Sequence, residues 1–454
     1  MYGARAVFTM GGQMASGSIQ ASYNRELWKN YDLLLWDGEG GSNNRELLEE
    51  DYKEWLEKSI ESSWYGLYLY GMSVEEVEVT AYHTLLEDGG RHMLLQMLDG
   101  EESTQSSILL EYMNGLLEFL PSLSLPDLGF SLDTLLEEFT LWQVVERGTL
   151  VSDYHISREN LPSAELNDGC EETILEKLMA NQYILRHFSS YTDGMTEGLC
   201  YQVEYILNGS EKDSLNLVSA ARSLIHLRTA LNLLKIFSEP VMQHAADLAA
   251  TLISTVLAIP EAKDIVKILA VFIWAYAEGV QDVQDLLAGK CVPLEKELSQ
   301  WHLWLHVPEE FSDGQIVWTD LIHIKELVKG WLQESDQEGA EDVPGETQTV
   351  QNDKTVIACL QDGEWNYECY LYLLLFFLDP RVQLGRTMDL IELDLSQNYP
   401  GFRLKNCCAG FSVETEVYVQ PVFSSLYVQS GIGFGGRFLQ DQAEVFFADG
   451  LQGY

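Results

Sequence analysis

Residues 411–420 alternate strictly between side chains suited to a protein core and side chains suited to water. The first set is Phe411, Val413, Thr415, Val417 and Val419, and the second is Ser412, Glu414, Glu416, Tyr418 and Gln420. Because successive side chains of a β-strand point to opposite faces, this pattern predicts a strand with one buried face. Such a strand needs partner strands and a covering layer from elsewhere in the chain.

Four other segments show strand-like alternation. They are residues 77–81, 201–207, 301–307 and 443–447. A glycine-rich stretch, residues 431–436, precedes the last of them and predicts a hairpin-like closure against residues 411–420.

Helical spacing dominates the remaining chain. Near the N-terminus, Ile19, Tyr23 and Leu27 are spaced by four, which predicts a helix over residues 13–35 with one apolar stripe. Residues 18–35 are expected to form its main packing segment. Further helices are predicted at residues 46–60, 171–189, 214–237, 240–258, 261–287 and 367–378, with helical spacing also through residues 90–147. Those at 214–237, 240–258 and 261–287 are expected to form one packed helical layer.

These elements together predict an α+β fold. A long N-terminal helix packs on an antiparallel sheet, and large helical insertions separate the strands. The expected segments are residues 1–89 (first helix and first sheet elements), 90–195 (helical insertion), 196–333 (strand and three helices), 334–355 (acidic linker or loop) and 356–454 (helix and C-terminal strands).

Charge excludes some partners. The chain has 71 Asp and Glu against 27 Lys and Arg, a formal net charge of -44, although 46% of its residues are hydrophobic. This much apolar sequence indicates a folded protein, and so negative a surface repels phosphate backbones and anionic lipid. We therefore expect no nucleic-acid partner.

The sequence contains no recognisable catalytic signature. Paired acids such as Glu49–Glu50 and Glu137–Glu138 recur too often for any one pair to indicate a general acid or base. The adjacent Cys407 and Cys408 are interpreted as buried apolar thiols. We therefore assign no catalytic and no cofactor-binding residues, and expect a protein that is not an enzyme.

Metal and phosphate sites were weighed at three places, and no metal ligand is assigned. His302 and His306 lie four residues apart, but in a strand their rings would be about 13 Å apart, too far to share an ion. The acidic turn from Asp37 to Ser42 departs from the EF-hand spacing and allows only weak Ca²⁺ binding. Residues 431–436 resemble a phosphate loop only in glycine content, so a hairpin turn is expected.

Several segments resemble a family of Gram-positive cell-envelope proteins of unknown function associated with tight-adherence (Flp-type) pilus loci. The matching stretches, which run in order along most of the chain, are residues 4–6, 23–28, 31–34, 201–209, 224–232, 274–278, 292–294 and 386–391. The acidic residues 334–353 have no counterpart in the resemblance.

The resemblance implies a pseudopilin-like layout and an extracytoplasmic location at the cell surface. Members of that family typically begin with one membrane-spanning helix. We therefore expect membrane contact only through such a helix, placed before Tyr2 and missing from this chain. The apolar runs at residues 268–277 and 369–378 are about half the ~20 residues that a spanning helix needs.

The function expected from the resemblance is that of a non-enzymatic subunit or accessory protein of a tight-adherence pilus or related envelope assembly. Its partners would be other envelope proteins. Two alternatives stay open. One is a secreted carbohydrate-binding or hydrolytic domain with an acidic, aromatic cleft, and the other is a Ca²⁺-stabilised surface adhesin.

Overall fold

The computed structural model describes residues 2–38, 44–62, 70–99, 152–166, 168–194, 198–256, 263–303, 363, 365–421 and 437–447. The chain divides into two compact units. We call Met1–Ser107, Ser157–Phe188 and Leu375–Tyr454 the sheet unit, and Ile108–Ile156 with Ser189–Leu374 the helical unit.

The described part of the chain is mainly helical, with one strand after the third helix and two strands after the last helix. The helices are α1 (Tyr2–Ala21), α2 (Arg25–Tyr31), α3 (Asn44–Ser62), α4 (Arg91–Asp99), α5 (Pro162–Glu165), α6 (Ile174–His187), α7 (Gln202–Asn208), α8 (Asp213–Ser238), α9 (Pro240–Val256), α10 (Lys263–Leu287), α11 (Tyr367–Phe377) and α12 (Pro380–Asn398). The strands are β1 (Tyr70–Thr84), β2 (Cys408–Pro421) and β3 (Arg437–Phe446). The α+β class is confirmed.

The three strands form one antiparallel sheet in the order β1-β2-β3. Strand β2 is central, and Val413 pairs with Val79 on one side and Ala443 on the other. The strands predicted at residues 77–81, 411–420 and 443–447 are therefore confirmed. The predicted turn at residues 431–436 lies outside the described residues.

One face of the sheet carries the core of the sheet unit. Helices α1 and α3 pack together, and their buried side chains join those of the strands in one apolar cluster. Tyr52 of α3 packs edge-on against Phe411 of β2, with ring centroids 6.1 Å apart. Full burial of each such side chain contributes about 1.5–3 kcal/mol, so this layer contributes substantially to the stability of the unit.

The N-terminal helix α1 covers Tyr2–Ala21 and not the predicted residues 13–35. Helix α1 ends at Ala21, and Asn24 caps the separate helix α2 by accepting hydrogen bonds from the N–H groups of Glu26 and Leu27. Asp32 then ends α2 in the left-handed conformation. The continuous helix predicted over residues 18–35 was wrong, because an Asn side chain that caps a new helix start outweighs the apolar spacing that runs across it.

An irregularity in β1 is held by α3. The β1–β2 register shifts between Val79 and Ala81, where the ladder is interrupted. The Val79 N–H donates to Glu49 Oε1 at 2.9 Å, and Arg45 donates to the Val79 carbonyl. Glu49 therefore satisfies strand backbone, which a pair of adjacent acids in the sequence does not reveal.

The helical unit is built around α8, α9 and α10, as predicted for residues 214–237, 240–258 and 261–287. Trp274 of α10 packs edge-on against Trp301 within an apolar cluster shared with α8 and α9. Within the described residues, no helix combines the length and apolar character that crossing a membrane requires.

Two predicted strands in this unit differ from the structure. Residues 201–207, predicted as a strand, form helix α7, which ends at Gly209 in the left-handed conformation. Val203, Glu204, Tyr205 and Ile206 are all buried, and a short segment buried on every side gives no reliable period. Residues 301–303 are not a strand, and residues 304–307 lie outside the described residues.

Candidate functional site

The solvent side of the three-stranded sheet carries four glutamates that face one another. Glu76 of β1 lies opposite Glu416 of β2, and Glu78 lies opposite Glu414. We call these four residues the acidic sheet face. Glu76, Glu78 and Glu414 are exposed, and Glu416 is half-buried. The four carboxylates are thus presented to solvent on two neighbouring strands.

Strand β3 completes each row with an amide side chain. Gln440 pairs with Glu416 in the sheet register and donates to its Oε1 at 3.2 Å, and Gln442 pairs with Glu414 and donates to its carboxylate. Together with Thr415 and Asp441, these residues line a shallow depression of about 430 Å³. The amides orient two of the carboxylates without neutralising them.

The acidic sheet face is not balanced by any cation in the part of the chain that the structure describes. Among the described residues, no Lys or Arg forms an ion pair with any of its four glutamates. Like charges directly opposite each other on adjacent strands destabilise a sheet by about 0.2–1 kcal/mol for each pair. The arrangement is therefore unfavourable for folding and favourable for an external positive charge.

The helical unit contains a second concentration of charge, which is buried. Glu278 and Asp282 lie four residues apart on α10, Arg228 projects from α8, and Lys296 and His302 follow α10 in the chain. We call these five residues the charge network. Arg228, Glu278 and Asp282 have 0% exposure and Lys296 has 4%. Buried charges of this kind persist only when they are paired.

Nearly every polar atom of the charge network has a partner. Arg228 Nε donates to Asp282 Oδ2 at 2.9 Å, and Lys296 donates to Asp282 Oδ1 at 2.7 Å and to Glu278. His302 Nδ1 lies 3.0 Å from Glu278 Oε1, and its Nε2 lies 2.8 Å from Asp285. The Glu278 carboxylate also accepts hydrogen bonds from the backbone N–H groups of His302 and Leu303.

These contacts shift the pKa values of the acidic and basic partners in opposite directions. Burial alone would raise the pKa of Glu278, but hydrogen bonds from His302 and Lys296 lower it to about 2. The hydrogen bond with Glu278 raises the pKa of His302, although burial opposes the change. Both shifts favour the ionised forms of Glu278 and His302.

The geometry of the charge network assigns it a structural role. Glu278, Asp282 and His302 offer ligand atoms within 4.8 Å of one another. The Lys296 ammonium, however, already lies between the two carboxylates. A metal ion would have to displace this built-in cation and leave it buried without a partner, which costs several kcal/mol. The network therefore ties α8 and α10 to the segment that contains Lys296 and His302.

Glu204 forms a separate buried site in the helical unit. Its Oε1 accepts hydrogen bonds from the Tyr367 hydroxyl at 2.8 Å and from the Tyr191 N–H at 3.0 Å. Its Oε2 accepts none from the described residues. Burial raises the pKa of Glu204 to about 7, so this carboxyl changes charge near neutral pH.

The structure brings together few of the residues singled out in the sequence. His302 contacts Glu278 and Asp285, and His306 lies outside the described residues, as do Glu137 and Glu138. In the acidic turn, Asp37 accepts a hydrogen bond from Asn24 at 2.6 Å, and residues 39–42 are outside the described part. Cys407 and Cys408 are buried free thiols, and burial raises the pKa of Cys408 to about 12.

The sequence analysis predicted neither the acidic sheet face nor the charge network, although part of each is visible as a pattern in the sequence. Glu414 and Glu416 are on the polar side of the predicted strand, and Glu278 and Asp282 have the i, i+4 spacing of one helix face. What the sequence did not supply was the register of β1 and the position of Lys296.

Comparison with known proteins identifies a family. Residues 130–321 and 341–419, more than half of the chain, match DUF5702, a family of unknown function. The chain belongs to this family. The DUF5702 match includes all five residues of the charge network and, on the acidic sheet face, Glu414 and Glu416. No curated protein and no solved structure matches the chain.

Membership of DUF5702 agrees with the coarser part of the resemblance seen in the sequence, namely a family of unknown function. The finer part, an association with the cell envelope and with pilus loci, goes beyond the family match and belongs to the proposal that follows.

Proposed function

We propose that this DUF5702 protein is a non-enzymatic binding protein whose acidic sheet face docks a positively charged segment of a protein partner. The observation that carries the proposal is the opposition of Glu76 to Glu416 and of Glu78 to Glu414 across two paired strands. A sheet needs no such arrangement for its stability, and a Lys- or Arg-rich segment lying across the strands would neutralise both rows at once.

Charge complementarity indicates which kind of partner the acidic sheet face binds. The whole chain has a formal net charge of -44, so a basic partner is attracted at long range before it makes contact. At the surface, the amides of Gln440 and Gln442 hold two carboxylates at the edge of the shallow depression. Fixed acceptors of this kind suit the several N–H donors of Lys and Arg side chains.

The proposal also covers location and assembly. We place the partner among extracytoplasmic proteins of the cell envelope, in a tight-adherence type pilus or a related assembly. The support is the resemblance carried by the stretches at residues 23–28, 201–209 and 386–391, and the packing of helix α1 against the three-stranded sheet. A pseudopilin-like layout is part of this proposal.

Site-specific cross-linking tests the docking surface. A photo-crosslinking amino acid replaces Gln442, which is beside the acidic sheet face, in cells that naturally produce the protein. As a control, it replaces Glu57 on the exposed side of α3. We expect the Gln442 position to capture an envelope protein through a Lys- or Arg-rich segment, identified by mass spectrometry. The capture should weaken in 1 M salt, where the screening length falls to about 3 Å.

A matched pair of variants makes the experiment decisive. The variant E76Q/E78Q/E414Q/E416Q removes the acidic sheet face and should abolish the cross-link. The variant E50Q/E57Q/E61Q/E171Q, with the crosslinker again at Gln442, removes four exposed carboxylates elsewhere on the sheet unit and should retain it. Equal cross-linking by both variants, or capture of the same protein from the α3 position, would show that the acidic sheet face is not the docking surface.

A second candidate uses the same four carboxylates to bind Ca²⁺, as the adhesin alternative requires. Carboxylate oxygens are the ligands that Ca²⁺ prefers, and a stabilised native state would melt at a higher temperature. A rise in Tm in millimolar Ca²⁺ that disappears in E76Q/E78Q/E414Q/E416Q would favour this candidate over a basic protein segment. An unchanged Tm would remove it.

A further inference from the structure

Three side chains with metal-ligating atoms converge at the end of β1 in the sheet unit. His83 is the penultimate residue of β1, Glu87 lies in the 3₁₀ turn Glu87–Gly90 that follows, and His92 is the second residue of α4. Each offers one ligand atom, and these atoms all lie within 4.8 Å of one another. His83 Nδ1 lies 3.1 Å from Glu87 Oε2.

The turn that gathers these ligands has a demanding backbone. Asp88, Gly89 and Gly90 have φ values of 49°, 66° and 86°, which reverse the chain between Glu87 and His92. Gly89 also packs so closely that a Cβ there would lie 2.5 Å from the carbonyl carbon of Gly169. Its carbonyl accepts the Cys170 N–H at 3.1 Å. The ligands are therefore brought together by a fixed turn, and the strain is consistent with a functional position.

An aromatic side chain forms one wall of this cluster. The Phe446 ring at the end of β3 stacks on His83 with centroids 5.4 Å apart and on His92 with centroids 5.8 Å apart. The two imidazoles are thereby held in orientation and shielded on one side. The opposite side is open, since the Glu87 side chain is 45% exposed and that of His83 is 27% exposed.

This cluster lacks the feature that excludes a metal from the charge network. The nearest basic residue in the chain, Arg91, forms its ion pair with Glu176 at 2.8 Å. Among the described residues, no Lys or Arg is paired with Glu87. A cation entering between the two imidazoles and the carboxylate therefore displaces no ammonium group, in contrast to the position that Lys296 holds.

We propose that His83, Glu87 and His92 bind one Zn²⁺ ion, with a fourth position open to water or to a donor from a partner molecule. Two imidazoles and one carboxylate are a ligand set that Zn²⁺ favours, at about 2.0–2.2 Å from each ligand atom. Tetrahedral coordination at these lengths separates neighbouring ligand atoms by about 3.3 Å. The distance of 3.1 Å between His83 and Glu87 is close to that separation.

Metal titration of the full chain tests the proposal. After removal of bound metal with a chelator, Zn²⁺ is added in a calorimeter, and Co²⁺ is added separately to record the visible absorption of a tetrahedral, nitrogen-ligated ion. We expect one tight Zn²⁺ site and a Co²⁺ spectrum. H92A should weaken Zn²⁺ binding by about a hundredfold or more. Loss of a residue that only hydrogen-bonds to a metal ligand already costs about tenfold to hundredfold in affinity.

Two further variants guard against loss of folding and against nonspecific binding. E87Q keeps the size of an exposed side chain, and it should weaken Zn²⁺ binding without changing the circular dichroism spectrum. H155A/E211Q removes a histidine and a glutamate that lie 3.6 Å apart elsewhere, and it should leave binding unchanged. Unaltered Zn²⁺ affinity in both E87Q and H92A, or the absence of a Co²⁺ spectrum in the wild-type chain, would overturn the proposal.

Discussion

The charge network and the acidic sheet face handle negative charge in opposite ways. In the helical unit, Glu278 and Asp282 are fully buried, and each has a cationic partner within hydrogen-bonding distance. In the sheet unit, Glu76, Glu78, Glu414 and Glu416 face one another across two strands, and no cation among the described residues is paired with them.

The difference separates charge that serves folding from charge that is available to a ligand. A buried carboxylate without a partner is too costly to keep, so the charge network must be balanced from within. An exposed carboxylate costs little and can remain unbalanced. The total charge of the chain therefore does not by itself locate a site, whereas the local balance of each cluster distinguishes a structural site from a binding surface.

The largest expected effect comes from breaking the balance inside the charge network. Arg228→Met removes the cationic donor to Asp282 Oδ2, which keeps only the Asn232 amide. The buried carboxylate is then left with Lys296 at 2.7 Å and His302 at 3.9 Å, both at Oδ1. We expect the free energy of unfolding to fall by about 3–5 kcal/mol, measured by urea denaturation. Lys58→Met, which breaks the exposed pair with Glu54, is the control and should cost no more than about 1 kcal/mol. A loss as small as that of the control would remove the structural role of the network.

The next effect concerns Glu204, a buried carboxyl that is paired with no cation among the residues that the structure describes. Its pKa is raised by burial to about 7 in the folded chain, against 4.5 for an ordinary glutamate. The stability that comes from keeping it neutral is fully present below pH 4.5 and is lost as the pH rises through about 7.

Glu204→Gln should therefore remove this loss. Relative to wild type, the variant should gain stability between pH 5 and pH 8, by an amount on the order of 2–3 kcal/mol, measured by urea unfolding across the range. Glu211→Gln, whose side chain is 77% exposed, should show no such gain. A Glu204→Gln advantage that stays constant with pH would show that the carboxyl does not titrate in this window.

Local patterns predicted the elements of this fold better than the sites. The alternation in β2 and the helical spacing of residues 214–237 (α8) are each contained in one segment, so they do not depend on contacts elsewhere in the chain. Helix α7 was missed because burial on all sides removes the contrast that defines a period. The break between α1 and α2 depends on one cap, Asn24, inside an apolar pattern that continues across it.

The sites depend on contacts that no single segment contains. Glu416 and Glu76 oppose each other only because β1 pairs with β2 in one register, which shifts at three places along the strands. The sequence suggested His306 as a partner for His302, because the two lie four residues apart. In the structure, the partners of His302 are Glu278 and Asp285 on α10. Sequence supplied the residues of each site, and tertiary structure supplied the pairing.

Neutralising the acidic sheet face should change the free energy of unfolding by less than Arg228→Met or Glu204→Gln. In contrast to Arg228→Met, it should stabilise the protein. E76Q/E78Q/E414Q/E416Q relieves two pairs of like charges and should raise the free energy of unfolding by about 0.2–1 kcal/mol for each opposed pair. The gain should be smaller in 1 M NaCl. At that salt concentration the screening length is about 3 Å, so the repulsion between the wild-type carboxylates is already weakened. The control E50Q/E57Q/E61Q/E171Q should change stability by less. A larger gain from this control would show that the stabilisation does not come from repulsion between the opposed glutamates.

The smallest effect tests how the charge network meets solvent at His302. The hydrogen bond with Glu278 raises the pKa of this imidazole, and Asp285 acts in the same direction, while burial and Lys296 oppose them. The stability that protonated His302 contributes is therefore fully present below its unfolded pKa of 6.5, and it is lost as the pH rises through the higher folded value. Wild type should exceed His302→Asn in stability by more at pH 5.5 than at pH 9, and NMR titration should give a His302 pKa above 6.5 that Asp285→Asn lowers in part. A pKa below 6.5 would mean that burial outweighs the two carboxylates, and the outer edge of the charge network would then be unbalanced like the acidic sheet face.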